Sequence, residues 1–405
     1  MKRGLVLFAV GLLYSVAAFG QAYPQKAPEP RGGMGIGIQI DLGDLAKGVA
    51  ALLGRGGEEL PRSAPGEILA AWPLSAPMDG SAIAEAVQGT LLAQQSLTTL
   101  GLEIARIGLE EARLDEALER LRGRFPAAAF DRNAFVYPQE AAQAGVSARQ
   151  YATALVGASG PNALPRPVRI GVIDGALPEQ LTLEVAALTH ESFVAAPASA
   201  HGEAVACILA CRPETGFAGL APKADLAWAA VLAPDEKGRE RGDTFRLVSA
   251  LDWLLAKRVE IIHMSLGSAP NAVLKWALDR TLPRVRAIVA AAGNGGPKAS
   301  PPYPAAFPGV IAVAAVDAEA RPWAQGSRGE HILLAAPGVD VWLPVRQGHY
   351  FTGTSFAAPF VTAWIAQRRA RGLLVDAGAL CAAARDLPPP GRDEVTGCGL
   401  LRWSP

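Results

Sequence analysis

FTGTSFAAPFVTA runs from Phe351 to Ala363, and its proline sits badly in the helix that the surrounding small and apolar residues predict. Proline past the first turn removes a backbone donor and crowds the carbonyl four residues back. With Thr354 as the cap, Pro359 forfeits a bond to the carbonyl of Ser355. A hydroxyl there, among Gly353, Ala357 and Ala358, is expected to matter more than helix propensity, because small neighbours let another backbone come close.

Working outward, short apolar strands alternate with helices. VRIGVID precedes HGEAVACILA; ADLAWAAVL precedes DTFRLVSALDWLLAKR; EIIHMSL, NAVLKWALDRT and RAIVAAAGN follow. That alternation predicts an α/β domain over roughly 161–405, with a doubly wound, mostly parallel sheet covered by helices on both faces. Ligands of such sheets sit beyond the carboxyl ends of the strands. Asp174 ends one strand, His201 opens a helix, Asn294 ends another strand and Ser355 opens a helix, so all four belong at one rim. Acyl transfer requires such a set. A serine hydroxyl needs an imidazole to take its proton, and a carboxylate on the other ring nitrogen fixes the tautomer. The Asn294 amide and the Ser355 backbone N–H could hold the oxyanion.

Ahead of this domain, EILAAWP, a helix-like stretch from Ala82 to Gln95, LEIARIGL, LDEALERLRGRF and FDRNAFVYPQ predict a small α+β domain over 61–140. Residues 141–160, in a stretch rich in Ala, Gly and Pro, read as a linker open to proteolysis. Residues 1–22 have Lys2 and Arg3 before an apolar run and small residues after it, the layout of a signal peptide. Residues 23–60 read as a Gly/Pro-rich tether with an amphipathic piece from Leu45 to Leu53.

The 405 residues are 50% hydrophobic and 19% charged, which excludes a disordered chain. With 38 basic and 38 acidic residues there is no basic excess to favour nucleic acid or an anionic membrane. No segment after the first is apolar enough to span a bilayer, so no membrane span is expected in the mature chain. Four cysteines fit an oxidising compartment, and three pairings are possible. The local pairs Cys207–Cys211 and Cys381–Cys398 are favoured, although one regular helix holding both Cys207 and Cys211 would hinder the first.

The second domain resembles the subtilisin-like serine proteases. GTSFAAP matches their nucleophile signature, VRIGVIDG their aspartate strand and VAAAGNGG their oxyanion strand; HGEAVA matches their histidine signature less well, and IIHMSLG and YPAAFPGVIAVAAVD follow in order. The resemblance implies Asp174 as orienting carboxylate, His201 as general base then acid, Ser355 as nucleophile and Asn294 as oxyanion donor. It implies that Ser265, Leu266 and Gly267 form an edge strand that pairs with an extended polypeptide substrate. Ala291, Ala292 and Gly293 would wall the pocket for the residue before the scissile bond, with room for an apolar group. The first domain resembles the family's propeptide, with strand–helix–strand–strand–helix–strand order, which implies an intramolecular inhibitor and folding aid.

This resemblance implies a secreted or periplasmic endopeptidase made as a zymogen. The chemistry requires no cofactor, and a structural calcium is left open. A pseudoprotease acting as a binding module, or a small-ester hydrolase, are the alternatives. Two departures stand out: Gly175 and Ala176 follow the aspartate where relatives carry a hydroxyl, and Glu203 puts a charge near the histidine. His190, His263, His331 and His349 read as structural or solvent-facing, and Asp235 to Asp243 as an exposed loop.

Overall fold

A computed structural model describes residues 60–140, 150–158 and 163–403. The signal-like segment, the tether up to residue 59 and much of the linker lie outside the described residues. The chain from Pro61 onward forms one unit. Its first part comprises β1 (Ser63–Pro73), α1 (Gly80–Ala86), β2 (Thr90–Leu97), β3 (Leu102–Gly108), α2 (Leu114–Arg124) and β4 (Ala129–Pro138). After α3 (Tyr151–Val156) come β5 (Arg169–Gly175), β6 (Val185–Ser192), α4 (Ala200–Ala210), β7 (Ala224–Pro234), β8 (Glu240–Asp243), α5 (Thr244–Ala256), β9 (Ile261–Met264), β10 (Leu266–Ser268) and α6 (Ala272–Thr281). The remainder is β11 (Ala287–Ala291), β12 (Val310–Val316), β13 (Ile332–Pro337), β14 (Val341–Leu343), β15 (His349–Phe351), α7 (Thr354–Ala370), α8 (Ala377–Ala382), β16 (Ala384–Arg385) and β17 (Leu400–Leu401).

Parallel strands run in the order β6–β7–β5–β9–β11–β12–β13. Their side chains alternate between two helical layers, as the period of a strand demands. On β5, Gly171 faces Leu254 of α5, where a Cβ would lie 2.8 Å from the leucine. Asp174, of opposite parity, faces His201 of α4. The chain leaves β5 for β6 and β7 on one side and then crosses to β9 on the other. The gap between β5 and β9 is therefore the switch point where an α/β sheet places its ligands.

In the first part, β1 pairs antiparallel with β3 and β4, and β3 with β2. Alternation again sorts the residues. Ile68, Ala70 and Trp72 join Ile83, Leu114, Leu118 and Leu121 in a core of their own. Leu69 and Ala71, on the opposite face, join the core of the parallel sheet. The helix-like stretch from Ala82 to Gln95 is only partly helical. α1 stops at Ala86, Gln88 takes a left-handed φ of 55°, and the chain turns into β2. At Gly89 a Cβ would lie 2.9 Å from the Gly108 carbonyl oxygen, so the turn is packed against β3 too closely for a side chain.

Asp235–Asp243 is also not simply an exposed loop. Its second half is β8, which pairs with β4 and β7, and buried Asp243 caps α5 by accepting from the Arg246 N–H. Both favoured disulfides are present. Helix α4 ends at Ala210, Cys211 leaves it with ψ 143°, and the Cα of Cys211 lies 4.3 Å from that of Cys207. Cys381 and Cys398 pair with Cα atoms 5.2 Å apart. Among the described residues no helix is long and apolar enough to cross a membrane.

Candidate active site

The misplaced proline of α7 has a local explanation. Ser355 lacks the N–H that residue 359 would have sent to its carbonyl, and the Ser265 hydroxyl donates there instead at 2.7 Å. Having spent its proton, Ser265 Oγ accepts from His263 Nε2 at 2.8 Å, so His263 Nδ1 carries the lone pair that accepts from Thr362 Oγ1, also at 2.8 Å. His263 is fully buried, and burial, with the nearby His201 adding, pushes its pKa down to about 3. It is therefore a neutral relay that ties the end of β9 to the serine helix. The sequence reading had no role for it beyond a structural one.

Asp174 and His201 meet directly. The ring Nδ1 lies 2.7 Å from Asp174 Oδ1, which also accepts from the Gly175 N–H at 2.7 Å. Both residues are 1% exposed and Ser355 is fully buried. Burial opposes a charge on His201, but the adjacent Asp174 carboxylate, with Glu140 and Glu240 adding, outweighs it and lifts the pKa to about 9. The Ser355 hydroxyl does not donate to the histidine. It donates to the Ser265 carbonyl at 2.9 Å, while buried His201 Nε2 has no partner among the described residues. Phe356, next to the serine, packs on the imidazole with ring centroids 5.4 Å apart.

Asn294 follows β11. Its Oδ1 accepts from Thr354 N–H at 3.1 Å and Thr354 Oγ1 at 2.8 Å. A backbone N–H can only donate, which fixes the amide orientation and leaves Nδ2 outward. That Nδ2 is buried and has no partner among the described residues. The Gly293 N–H donates to Thr354 Oγ1 at 3.1 Å, so the end of β11 and the start of α7 are stitched together.

The departures are accommodated. A Cβ on Gly175 would strike the Ser199 hydroxyl, so Ser199 fills the place where a residue after the aspartate would put its own. Ser199 caps α4 by accepting from the Gly202 N–H at 2.9 Å, and it donates to Glu240 Oε2 at 2.8 Å. Burial, with the charges of Asp174 and Glu140 adding, holds the Glu240 carboxyl above its usual range despite that bond. Glu203 is turned away, its carboxylate accepting from Arg346 Nη2 at 2.8 Å and Nε at 3.1 Å.

The expected edge strand has an occupant. β10 pairs antiparallel with β4, matching Leu266 with Pro138, Gly267 with Tyr137 and Ser268 with Val136. On the other side β8 pairs Gly242 with Val136. The Gln139 N–H donates to the Ser265 carbonyl at 3.2 Å, and the Gln139 carbonyl accepts from the Ser355 N–H at 3.1 Å. Gly353 has φ 150°, and a Cβ there would strike that carbonyl oxygen and lie 2.8 Å from Glu140 Cα. Only glycine lets the two backbones approach. The arrangement offers a serine hydroxyl, an imidazole held by a carboxylate, the Ser355 N–H donating to a peptide carbonyl and the unpartnered Asn294 Nδ2, the components of acyl transfer.

Ala291 ends β11, Ala292 and Gly293 follow it, and a Cβ on Gly293 would lie 2.6 Å from both Pro302 Cγ and Ser327 Oγ. Sequence reading missed Gln139, Ser199, Glu240 and Pro302. Only the final FVYPQ strand hinted at the first; the others are defined by packing between distant segments. Among the described residues no group of three or more His, Cys, Asp or Glu side chains could hold a metal ion.

The model of the subtilase family matches residues 189–372. Subtilisin DY of Bacillus licheniformis is 32% identical over 206 residues, covering 48% of this chain and 73% of that protein. The minor extracellular protease Epr of Bacillus subtilis is 30% identical over 58% of this chain, but the match spans only 38% of Epr. Fervidolysin of Fervidobacterium pennivorans, described as a keratinolytic enzyme related to subtilisin, shares the fold over 85% of this chain and 61% of its own, with TM-score 0.66 at 20% identity. With 73% of a subtilisin matched in sequence and a parallel sheet that brings the aspartate, histidine and serine segments to one rim, this chain belongs to the subtilase family of subtilisin-like serine proteases.

Proposed function

We propose that this protein is an exported serine endopeptidase made as a zymogen, and that its own β4 is the first polypeptide to occupy the cleft. The observation that carries the reading is the Gln139 carbonyl, held by the Ser355 N–H at the end of a strand sandwiched between β8 and β10. In this reading Ser355 Oγ swings from the Ser265 carbonyl to His201 Nε2 and attacks the carbonyl carbon of Gln139. Its proton passes to Nε2, and Asp174 stabilises the imidazolium that forms. The oxyanion is held by the Ser355 N–H and Asn294 Nδ2. The carbon–nitrogen bond to Glu140 breaks as Nε2 returns the proton to the leaving amine, and water then releases the acyl group by the same route. Losing one oxyanion donor slows such chemistry by about 100- to 1,000-fold.

The domain over 61–140 is then a propeptide cut one residue before its expected end, with 141–160 a linker that stays with the protease domain of 161–405, and 1–22 a signal for export. The two disulfides support an oxidising destination. The burial of the triad beneath β4 supports inhibition until the segment leaves. Other polypeptides would then bind β10 in the same extended manner, through main-chain pairing. A fluorophosphonate probe tests the chemistry: the processed protein should be labelled at Ser355, and Ser355→Ala should not. An unlabelled protein would favour the binding-module alternative. Labelling with turnover of esters and no turnover of peptides would favour the small-ester hydrolase.

A further inference from the structure

The pocket for the residue on the acyl side of the scissile bond has an unusual floor. Its two walls are Gly267 on β10 and Gly293 after β11, and neither has a side chain. A Cβ on Gly267 would lie 2.8 Å from Pro302 Cβ, and a Cβ on Gly293 would lie 2.6 Å from Pro302 Cγ. Those two proline atoms are bonded neighbours, so one pyrrolidine ring spans the gap between the walls. Ser327 Oγ lies 2.6 Å from the same point on Gly293 and narrows the end. The ring is held in place by its neighbours. Ser268 and Tyr303 exchange both backbone hydrogen bonds, at 2.8 and 3.0 Å, and the Pro302 carbonyl accepts from the Ala306 N–H at 3.0 Å.

The segment in the cleft agrees with a shallow site. Gln139 has a side chain long enough to probe a deep pocket, yet it folds back. Its Nε2 donates to the Tyr137 carbonyl at 3.1 Å and lies 3.0 Å from the Cβ point of Gly267. Resting on the reading that Gln139 is the acyl residue, we propose that Pro302 is a specificity-determining residue. It shortens this subsite so that the enzyme takes peptides with small or compact side chains before the cut, such as alanine, serine or a folded glutamine, and rejects aromatic and long aliphatic ones. A close-packed wall that cannot yield opposes each extra methylene, and pockets discriminate single methylenes by about 10- to 200-fold.

The test uses peptide p-nitroanilides Val-Tyr-Pro-X with X as Ala, Gln, Leu or Phe. The processed enzyme and its Pro302→Gly variant are both calibrated by fluorophosphonate titration of Ser355. We expect kcat/KM for Ala to exceed that for Phe by at least about tenfold in the parent, and Pro302→Gly to raise the Phe-to-Ala ratio by about tenfold or more. A parent that cleaves after Phe as readily as after Ala overturns the proposal without any variant. So does a variant that changes all four substrates in proportion. Failure of the titration itself would instead sink the reading of Ser355, which separates the two claims.

Discussion

Ser265→Ala, made alone and together with Pro359→Ala, isolates the bond that answers the proline of α7. A Ser355→Ala background prevents self-digestion and leaves the backbone carbonyl in place. Removing the Ser265 hydroxyl strands two buried groups, the residue-355 carbonyl and His263 Nε2–H. Each unsatisfied group costs about 1–3 kcal/mol, so the single variant should lose about 2–6 kcal/mol of stability. Pro359→Ala restores an N–H that can reach the same carbonyl, so in its presence Ser265→Ala strands only the imidazole. The two substitutions should therefore couple by about 1–3 kcal/mol, read from urea unfolding followed by tryptophan fluorescence. If the effects add to within about 0.5 kcal/mol, the proline and the Ser265 hydroxyl are independent and the explanation of this helix is wrong.

Gly353→Ala should slow self-cleavage by about 100-fold or more, since its Cβ would displace the Gln139 carbonyl; band intensities of precursor and product over time report it. The high pKa of His201 sets the pH dependence of that step. Only the neutral ring accepts the serine proton, so below about pH 9 the rate in the intact precursor should climb roughly tenfold per pH unit and level off near 9. A rate flat between pH 6 and 8 would contradict this. Glu240→Gln removes a negative charge that raises His201, so the acid limb of kcat/KM in the processed enzyme should move to lower pH; an upward shift would refute the electrostatic reading.

The alternation of apolar strands and helices was legible because a parallel sheet needs both faces covered, and the rim positions of Asp174, His201, Asn294 and Ser355 followed from that topology. The end of α1 was not legible. Ala82 to Gln95 contains good helix formers, but the packing of Gly89 against Gly108 overrides them and sends the chain into an edge strand. The charged run at Asp235 to Asp243 reads as solvent-facing by composition, yet β4 recruits its second half as a partner strand. His263 looked inert because its partners, Ser265 and Thr362, are assembled by the fold. Pro302 gave no signal because a proline after a glycine-rich turn looks like any other loop residue. Only its distances to two glycines separated in sequence reveal what it fills.

N-terminal sequencing and intact mass of the purified protein, run beside Ser355→Ala, test most directly that Ser355 cuts the strand lying across it. The parent should yield a catalytic chain beginning at Glu140, and the alanine variant should remain joined through that bond. A variant processed at the same place, or a parent left whole at Gln139–Glu140, would contradict it.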